Sequence, residues 1–596
     1  MRRWIGIDGE GVGRRPHRYT LLAWSDASGG SDWIEDSGGL GTAACLDALL
    51  ALPTRARVCG YYLGYDWTMM LRELPDRALY SLFRPELRVR ETGGFFPVEW
   101  RGYRLHYLAG MMRIGRRGQR HGTTVWDLGR FFQSPFVRAL ERWGIDAPVA
   151  DIAEMKALRA TFGAGDARRV RAYCLSECQA LARLATALES VLSDVGIEPR
   201  RWHGPGSVAS VLLDRWGARD ARGTPPAGVR EAAERAFFGG RFEQACVGTH
   251  DVYGADIASA YPYHARSLPC LAHGTWERVL DEGRADAASV ALYRYAVTDV
   301  GERSWGPLPC RMPDGSILYP RGGWSGWAWA SEYRAAQRGW SGVHWGGEAW
   351  VWHAGCDHQP FSGILPMYRE RVKLGKDVRG LALKLGLNSC YGKLAQRIGT
   401  PRYASTIWAG MITAGTRAQL LDLMIASGTE ATVAVATDGL YTRARPQPGP
   451  APLAPDTLGS WELDAREAMT FVRPGIYWSA DKVRARGIGR STVDMQRAAI
   501  GAAIERGDAL VDLGTQTQFG GARATIIRTE RGAIRRTAHY GQWYEAPARI
   551  SLDPAPKRRA DWSLYTLPGI ESRAYAGETT PEGEMARAAE SPLHLL

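Results

Sequence analysis

Residues Tyr253–Pro262 read YGADIASAYP and contain the first candidate for a metal-binding carboxylate. The short, mostly apolar run Val252–Ala255 predicts a core strand that ends at Asp256 and is followed by a turn of small residues. A carboxylate at the end of a core strand is well placed to hold a divalent metal at the floor of a cleft. An Asp in this position is also a common turn former. Further site residues elsewhere in the chain are needed to distinguish a metal ligand from a turn residue.

The bulk composition is that of an ordinary folded protein. The chain has 596 residues, of which 45% are hydrophobic and 23% are charged, and this length predicts three or more domains or subdomains. No apolar run is long enough to cross a bilayer, and the N-terminal MRRWIGIDGEG is too short to be a signal peptide. The nine cysteines contain no Cys-x-x-Cys pair, which disfavours a structural zinc site and favours free thiols in a reducing compartment. We therefore expect a cytoplasmic protein with no membrane partner.

The charge distribution favours a polyanionic partner. The net charge is +12, and half of it lies in residues 521–560, which hold nine basic and three acidic residues. Lysine is rare in this chain, yet four of its seven lysines fall within residues 373–393. A segment that keeps Lys in an Arg-biased chain needs a compact cation, and we expect phosphate contacts there.

The segment Leu381–Lys393, LALKLGLNSCYGK, predicts a helix with a polar face. At 100° per residue, Lys384, Asn388 and Tyr391 fall within a narrow arc of that helix. A cation, an amide and an aromatic ring in this order can meet a triphosphate, a sugar and a base. The alternative is a surface helix of mixed composition.

A second carboxylate is placed by Ala431–Thr442, ATVAVATDGLYT. Asp-Gly between two β-prone runs is a hairpin signal. The pattern predicts Asp438 at the tip of this hairpin, either as a plain turn residue or as a partner for Asp256.

The first 195 residues contain a further set of acidic residues. Asp8 and Glu10 share one face of a predicted strand, because side chains at i and i+2 project the same way. Asp66 follows an apolar strand and begins a helical pattern, where it could equally be an N-cap. Arg168–Leu192 predicts a long helix in which Tyr173 and Glu177 lie one turn apart. The segment Val125–Trp143 predicts a further helix, amphipathic and rich in aromatic residues.

The string from Lys384 to Gly392 resembles the Lys-x-x-x-Asn-Ser-x-Tyr-Gly motif of family B DNA polymerases at every fixed position. Asp438 lies in a segment that resembles the family's Asp-Thr-Asp-Ser motif, with Ala436 and Gly439 replacing the first Asp and the Ser. The stretch Phe237-Phe238-Gly239-Gly240-Arg241 resembles the family's Tyr-x-Gly-Gly loop, with Phe in the Tyr position. Tyr477 matches the Tyr of its Lys-x-Tyr element, whereas Gly475 stands at the Lys position.

The N-terminal carboxylates resemble the three exonuclease motifs of the same family. This resemblance implies an RNase-H-like 3′–5′ proofreading domain with two metals, in which Asp8, Glu10, Asp66 and Glu177 are ligands and Tyr173 orients the attacking water. Two positions depart from the family pattern: Glu177 stands where Asp is usual, and Tyr62 stands where Asn is usual.

The resemblance implies an α+β multidomain fold, an RNase-H-like exonuclease domain followed by a right-hand polymerase with palm, fingers and thumb. The loop-like composition from about residue 196 marks the first junction. The expected segments are an exonuclease domain (1–195), a linker with a template-contact loop (196–250), a first palm part with a possible insertion (251–361), fingers (362–405), a second palm part (406–478) and a thumb with a C-terminal tail (479–596).

The implied activity is template-directed addition of deoxynucleotides to a 3′-OH, with two Mg²⁺ or Mn²⁺ ions in each active site. Asp256 and Asp438 would hold the polymerase metals, Lys384 and Arg371 would neutralise the triphosphate, and Lys384 could protonate the departing pyrophosphate. The remaining expected contacts are with the nucleotide (Tyr261, Asn388, Tyr391) and with DNA (Phe238, Gly239, Gly240, Tyr477, Arg535, Arg536).

The expected partners are primed DNA and dNTPs, and a monomer is expected. Size and domain content resemble compact phage or mobile-element polymerases, including protein-primed ones. Priming by a terminal protein, by an oligonucleotide or by no primer stays open. Ala436, Gly439 and Glu177 keep a catalytically impaired DNA-binding homologue as the rival hypothesis.

Overall fold

The computed structural model describes residues 3–84, 96–298, 305–312, 315–375, 377–397, 401–448, 456–552, 559–560 and 572–573. The predicted C-terminal tail at 575–596, together with Lys376 and Lys557, lies outside these residues. Within the described part of the chain, no helix has both the length and the apolarity needed to span a membrane.

The N-terminal unit is built on an eight-stranded mixed sheet in the order β3-β2-β1-β4-β8-β7-β6-β5. β4 lies between β1 and β8 and pairs with both in parallel, whereas the remaining neighbours are antiparallel. The strands are β1 (Trp4–Val12), β2 (Arg18–Asp26), β3 (Ser31–Glu35), β4 (Arg57–Gly60), β5 (Val98–Trp100), β6 (Tyr103–Leu108), β7 (Met111–Arg116) and β8 (Gly122–Asp127).

Helices cover this sheet, and the longest carries Tyr173 and Glu177. They are α1 (Thr42–Ala51), α2 (Gly64–Met70), α3 (Asp76–Phe83), α4 (Gly129–Phe132), α5 (Phe136–Arg142), α6 (Val149–Leu158) and α7 (Ala167–Asp194). α7 confirms the predicted long helix and packs on the sheet, where the Cys178 thiol donates to the carbonyl oxygen of Ala23 at 3.4 Å.

The predicted helix over Val125–Trp143 is wrong. Its first residues end strand β8, and the remainder forms the two short helices α4 and α5. Pro135 separates these helices, because proline restricts the residue before it to extended backbone and has no N–H to donate. Gln133, at the end of α4, adopts a left-handed φ of 49°.

Three helices connect the N-terminal unit to the second large sheet: α8 (Pro205–Arg215), α9 (Ala218–Ala221) and α10 (Ala227–Arg235). That sheet runs in the order β22-β21-β20-β10-β18-β17-β9, with β19 also paired to β10. Its strands are β9 (Arg241–Gln244), β10 (Gly248–Ile257), β17 (Thr432–Thr437), β18 (Gly439–Thr442), β19 (Trp461–Leu463), β20 (Glu467–Arg473), β21 (Ile476–Trp478) and β22 (Val483–Ala485). The sheet joins the two predicted palm segments, and it also takes in β9 from the predicted linker and β22 from the predicted thumb.

A four-stranded sheet occupies the Trp-rich segment between the palm strands, in the order β11-β16-β12-β15. The elements are α11 (Ala260–Ala265), β11 (Gly274–Val279), α12 (Glu282–Asp286), β12 (Ala291–Val297), β13 (Cys310–Arg311), β14 (Ile317–Leu318), β15 (Trp324–Trp329), α13 (Ala330–Gly339) and β16 (Val343–Ala354). Trp324, Trp329, Trp340 and Trp352 are buried and form part of the core beneath this sheet.

The predicted fingers are an antiparallel pair of helices, α14 (Ile364–Leu374) and α15 (Val378–Leu394), followed by the buried helix α16 (Thr406–Ser427). α15 begins after Asp377, whose carboxylate accepts from the Arg379 N–H at 3.1 Å and caps the helix. The C-terminal region contains α17 (Arg490–Met495), α18 (Arg497–Arg506), β23 (Leu510–Phe519), α19 (Ala522–Thr525), β24 (Ile526–Arg528), β25 (Ile534–Arg536), β26 (Trp543–Ser551), β27 (Arg559–Ala560) and β28 (Ser572–Arg573).

Candidate active sites

The two predicted polymerase carboxylates lie on neighbouring strands of the palm sheet. Asp256 is near the end of β10, and Asp438 is the turn residue between β17 and β18. β10 and β18 pair so that Asp256 faces Gly439, and the Ile257 N–H donates to the Asp438 carbonyl oxygen at 2.9 Å. The hairpin predicted from Ala431–Thr442 is therefore confirmed, and its turn brings Asp438 beside Asp256.

The carboxylates at this end of the sheet repel one another. Asp256 is open to solvent, yet partial burial and, next in size, the charge of Asp438 raise its pKa to about 6. Burial also raises the pKa of Asp438. Glu462 on β19 stands opposite Asp256 in the strand register, and it and Asp464 act on Asp256 in the same direction. The sequence patterns do not identify Glu462 as a residue of the candidate site.

The backbone around both carboxylates is strained. Ser259, three residues after Asp256, has a φ of 53°, and Thr437, directly before Asp438, has a φ of 69°. A left-handed conformation is costly for a β-branched residue such as Thr437, and such outliers cluster at functional sites. The strain at Thr437 fixes the direction in which the Asp438 side chain leaves the turn.

Gly439 has a steric reason to lack a side chain. A Cβ at this position would lie 2.2 Å from Oδ1 of Asp256. The Gly that replaces the family's Ser therefore leaves room for the Asp256 carboxylate. Ala436 pairs with Gly439 in β18 and with Phe242 in β9.

Two of the predicted nucleotide-binding residues of α15 line a cavity. Asn388 and Tyr391 line a cavity of about 420 Å³ together with Tyr261 of α11. The rings of Tyr261 and Tyr391 contact each other, with centroids 4.5 Å apart. The structure thus brings together three of the residues predicted to touch the nucleotide.

The two cations predicted to meet the triphosphate lie near the carboxylates. The Arg371 guanidinium donates to the Ser259 hydroxyl at 2.8 Å, which places it beside the turn after Asp256. Lys384 is exposed on α15. Burial of its stem, followed by the charge of Arg371, lowers the pKa of Lys384, and the ammonium acts in turn to lower the pKa of Asp438.

The Phe238-Gly239-Gly240 loop is held from within the protein. Arg417 of α16 donates to the carbonyl oxygens of Phe238 and Gly239 at 2.7 and 2.6 Å, and its other nitrogens bind Glu332 at 2.6 Å. A Cβ at Gly240 would lie 2.8 Å from the Thr437 methyl group, so this loop contacts the residue before Asp438.

The Phe238 side chain is largely covered by protein. It is only 6% exposed, and the guanidinium of Arg311 lies 5.2 Å from its ring centroid. Gly239 and Gly240 are half-buried, and the contact of all three residues with DNA stays a prediction.

We expect Arg417→Met to lower the free energy of unfolding by about 3 kcal/mol or more, because Glu332 would be left as an unpaired buried charge. Both side chains of the pair are at most 2% exposed. Arg338→Met is the matched control, since its pair with Asp422 joins the same two helices at the surface and should contribute less than about 1 kcal/mol. Thermal unfolding of the two variants measures the difference, and equal shifts would contradict this account.

Tyr477, Arg535 and Arg536 are predicted to contact DNA from the palm and thumb. The side chains of Tyr477 and Arg535 are accessible. Tyr477 of β21 is half-buried, and its hydroxyl lies 3.4 Å from that of Tyr441. Arg535 is exposed. Their contact with DNA stays a prediction.

Arg536 is held by the N-terminal unit. Its backbone N–H and its Nε donate to the Asp76 carboxylate at 3.0 and 2.5 Å, and its terminal nitrogens donate to the carbonyl oxygens of Arg72 and Leu74. These bonds join β25 to α3, and the predicted contact of Arg536 with DNA stays a prediction.

The N-terminal unit gathers its predicted carboxylates into one buried cluster. Oxygens of Asp8, Glu10 and Glu177 all lie within 4.8 Å of one another, which joins β1 to α7. Asp66 is also buried, and its carboxylate accepts from the Tyr19 hydroxyl at 3.1 Å. Burial raises the pKa of Asp66 to about 7.

Two cations that the sequence did not single out lie against this cluster. Arg159, in a short 3₁₀ turn, donates to Glu10 at 2.7 and 2.9 Å and to Asp8 at 3.3 Å. Lys156 of α6 forms an ion pair with Glu177. Burial alone would raise the pKa of Glu177, but Lys156 and Arg159 outweigh it and lower that pKa. Burial raises the pKa of both Asp8 and Glu10.

The cluster contains an oxygen atom that is available to bind a metal. Oε2 of Glu177 is buried and, among the residues that the structure describes, has no hydrogen-bond partner. The buried Tyr173 hydroxyl lies close enough to the Glu177 carboxylate to contribute to lowering its pKa. Tyr62, which stands where the family pattern has Asn, is 48% exposed, and its N–H donates to Asp127 at 2.8 Å.

We expect Arg159→Met to destabilise the metal-free protein by about 3 kcal/mol, because Asp8 and Glu10 lose the cation that offsets their repulsion. Added Mg²⁺ should restore more stability to this variant than to the parent, since metal and guanidinium compete for the same oxygens. Thermal unfolding with and without Mg²⁺ measures both effects. Arg169→Met, which removes an exposed pair with Glu154, should show neither the loss of stability nor the larger stabilisation by Mg²⁺. If Mg²⁺ stabilised Arg159→Met no more than the parent, metal and guanidinium would not compete for the same oxygens.

Comparison with known proteins gives a likeness of fold. No family model matches the sequence, and no curated protein matches it significantly. Phi29 DNA polymerase complexed with primer-template DNA and incoming nucleotide substrates matches with a TM-score of 0.60 over 93% of this chain and 100% of that chain, at 13% identity. Its binary complex with primer-template DNA gives 0.58 over 92% and 100%, at 13% identity. Its complex with single-stranded DNA gives 0.55 over 83% and 94%, at 14% identity.

These matches span nearly the whole chain and extend across both large sheets. The predicted α+β multidomain fold is confirmed, since it is the fold of Phi29 DNA polymerase over nearly the whole chain. The resemblance to family B polymerases of the compact phage type is confirmed at the level of the fold.

Proposed function

We propose that this protein is a template-directed DNA polymerase that adds deoxynucleotides to a primer 3′-OH and removes mismatched 3′ ends. The observation that carries the proposal is the convergence of Asp256 and Asp438 on adjacent strands with Arg371 and the polar face of α15. This arrangement occurs within a fold shared with Phi29 DNA polymerase, whose solved complexes contain primer-template DNA and incoming nucleotides.

The donor atoms at both sites suit Mg²⁺ or Mn²⁺. Carboxylate oxygens are the ligands that these hard cations prefer, and carboxylates that raise one another's pKa are stabilised by a cation between them. Asp256 and Asp438 would hold metal in the palm, with Glu462 positioned to contribute through its register with Asp256. Asp8, Glu10, Asp66 and Glu177 would do so in the N-terminal unit. When bound, the metals would activate the attacking oxygen and offset the charge of the leaving group.

The remaining polymerase steps are assigned to side chains of the cleft. Arg371 and Lys384 bind the triphosphate, and Lys384 is positioned to donate a proton to the leaving pyrophosphate. Tyr261 lies under the sugar, where its ring, packed against Tyr391, excludes a 2′-OH. Asn388 and Tyr391 pack against the new base pair.

In the nuclease site, the Tyr173 hydroxyl orients the attacking water. Lys156 and Arg159 are positioned to offset the charge that develops on the scissile phosphate once metal has taken the carboxylate oxygens.

Primer extension with Mg²⁺ on primed and unprimed templates tests the proposal. We expect incorporation on the primed template, and incorporation on the unprimed template would show that a primer is dispensable. Absence of incorporation on the primed template, by protein that still binds DNA, would overturn the polymerase assignment and favour the non-catalytic DNA-binding homologue.

A further inference from the structure

Two cysteines and a histidine meet at the base of the inserted four-stranded sheet. Cys270 and His273 precede β11, and Cys356 follows β16, so the three side chains come from the two ends of the insertion. Their Sγ and imidazole nitrogen atoms all lie within 4.8 Å of one another. The Sγ atoms of Cys270 and Cys356 each lie 3.6 Å from Nδ1 of His273.

We propose that Cys270, His273 and Cys356 bind a structural Zn²⁺ ion. Zinc–sulfur bonds of about 2.3 Å and zinc–nitrogen bonds of about 2.1 Å in a tetrahedral site place the sulfur and nitrogen ligands about 3.6 Å apart. Both sulfur–nitrogen separations in the structure have this value. Thiolate sulfur and imidazole nitrogen are the donor types that select zinc over the Mg²⁺ of a carboxylate site.

A network of thiol hydrogen bonds accounts less well for the cluster. Nδ1 of an imidazole offers one lone pair or one proton, yet two sulfur atoms approach the same nitrogen at equal distance. The Cys270 sulfur also lies 3.7 Å from the carbonyl oxygen of Ala221, which gives its thiol an alternative partner when no metal is bound. A metal ion between the three atoms satisfies both sulfurs at once.

The backbone holds the two ligand-bearing segments together without help from the side chains. The Cys270 N–H donates to the carbonyl oxygen of His358 at 3.0 Å, and the Gly355 N–H donates to that of His273 at 2.9 Å. Preorganised ligands lower the entropy cost of metal binding. Cys270 is buried, whereas His273 is exposed and Cys356 is half-buried, so solvent can reach the site and water completes the tetrahedron.

The position of the site indicates what the metal does. Strands β11 and β16 pair from Gly274 with Ala354 onward, and α11, which carries Tyr261, ends at Ala265. A metal bound by Cys270, His273 and Cys356 therefore links the two ends of the insertion where they join the second large sheet. This role does not depend on the polymerase activity, and a structural site of this kind stabilises the folded state directly.

Metal analysis of the full-length protein tests the proposal. After exposure to zinc and removal of weakly bound metal, we expect about one zinc per chain, and we expect Cys356→Ser and His273→Ala to lose it. His353→Ala is the matched control, because His353 lies on the adjacent strand and pairs with Glu277 instead. Asp438→Asn is the second control, since it alters the carboxylate site, and both controls should retain the zinc.

Cobalt substitution gives a readout that needs no variant to fold. Co²⁺ bound by the parent protein should show thiolate-to-cobalt charge-transfer absorption that zinc abolishes. Absence of that absorption together with absence of zinc in the parent protein would overturn the proposal. So would undiminished zinc in Cys356→Ser, or a Cys270–Cys356 disulfide found by mass spectrometry in the protein purified under reducing conditions.

Discussion

Replacing Asp438 by Asn should abolish nucleotide incorporation, with a loss of about 10³-fold or more, equivalent to roughly 4 kcal/mol of transition-state stabilisation. Asparagine keeps the size of the side chain and the hairpin turn but removes the negative charge. Because Ala436 stands where the family pattern has another Asp, the hairpin has no second carboxylate to take over. Single-nucleotide incorporation on a primed template, measured at saturating dNTP, gives the loss directly.

Two comparisons make this result specific. The same variant should still degrade a mismatched 3′ end, because the cluster around Asp8 belongs to a different sheet. Asp464→Asn removes a nearby carboxylate that is bound to Lys482 at 2.8 Å, and it should lower incorporation less than about tenfold. Equal losses in the two variants would mean that net charge, and not metal binding by Asp438, sets the rate.

Local patterns in the sequence were sufficient to predict several parts of the polymerase site. The helical spacing of Lys384, Asn388 and Tyr391 and the Asp-Gly hairpin at Asp438 depend on neighbouring residues, and the structure contains both elements. The fold class was predicted from the resemblance of the motifs, and of their order along the chain, to family B DNA polymerases. Periodicity and turn signals carry the information only for the two local elements.

Contacts between distant residues could not be predicted in the same way. Arg159 meets Glu10 across 149 positions, and Arg536 meets Asp76 across 460. Any arginine in this Arg-rich chain was an equal candidate for these contacts. Arg311 and Arg417, which come from other elements, lie over the Phe238 ring, and its position in the loop motif gave no indication of that packing.

The cysteine cluster shows what a spacing rule cannot detect. Cys270 and Cys356 are far apart in sequence, and the absence of a Cys-x-x-Cys pair disfavoured zinc. Pairing of β11 with β16 brings the two ends of the insertion together, and only that pairing places both sulfurs beside His273. Histidine three residues from one cysteine was the available signal, and alone it is too common to be informative.

Replacing Asp8 by Asn should abolish degradation of a mismatched 3′ end while leaving extension intact. Asp8, Glu10 and Glu177 form one compact set of oxygens, so loss of one charge removes a ligand that the others cannot replace without moving β1 or α7. We expect a fall of about 10³-fold in the rate of 3′-end removal. Digestion of a labelled primer with a mismatched terminus, with Mg²⁺ and without dNTPs, measures this rate.

The sharpest control lies in the same N-terminal unit. Asp47→Asn removes a half-exposed carboxylate of α1 that pairs with Arg116 and lies outside the cluster, so it should degrade the mismatched end at the parent rate. If the parent protein leaves the mismatched end intact, Glu177 in place of the family's Asp has disabled the site, and the nuclease assignment fails. Asp8 and Asp438 lie on different sheets and share no described contact, so Asp8→Asn should leave extension unchanged. A loss of extension in this variant would mean that the two sites are not independent.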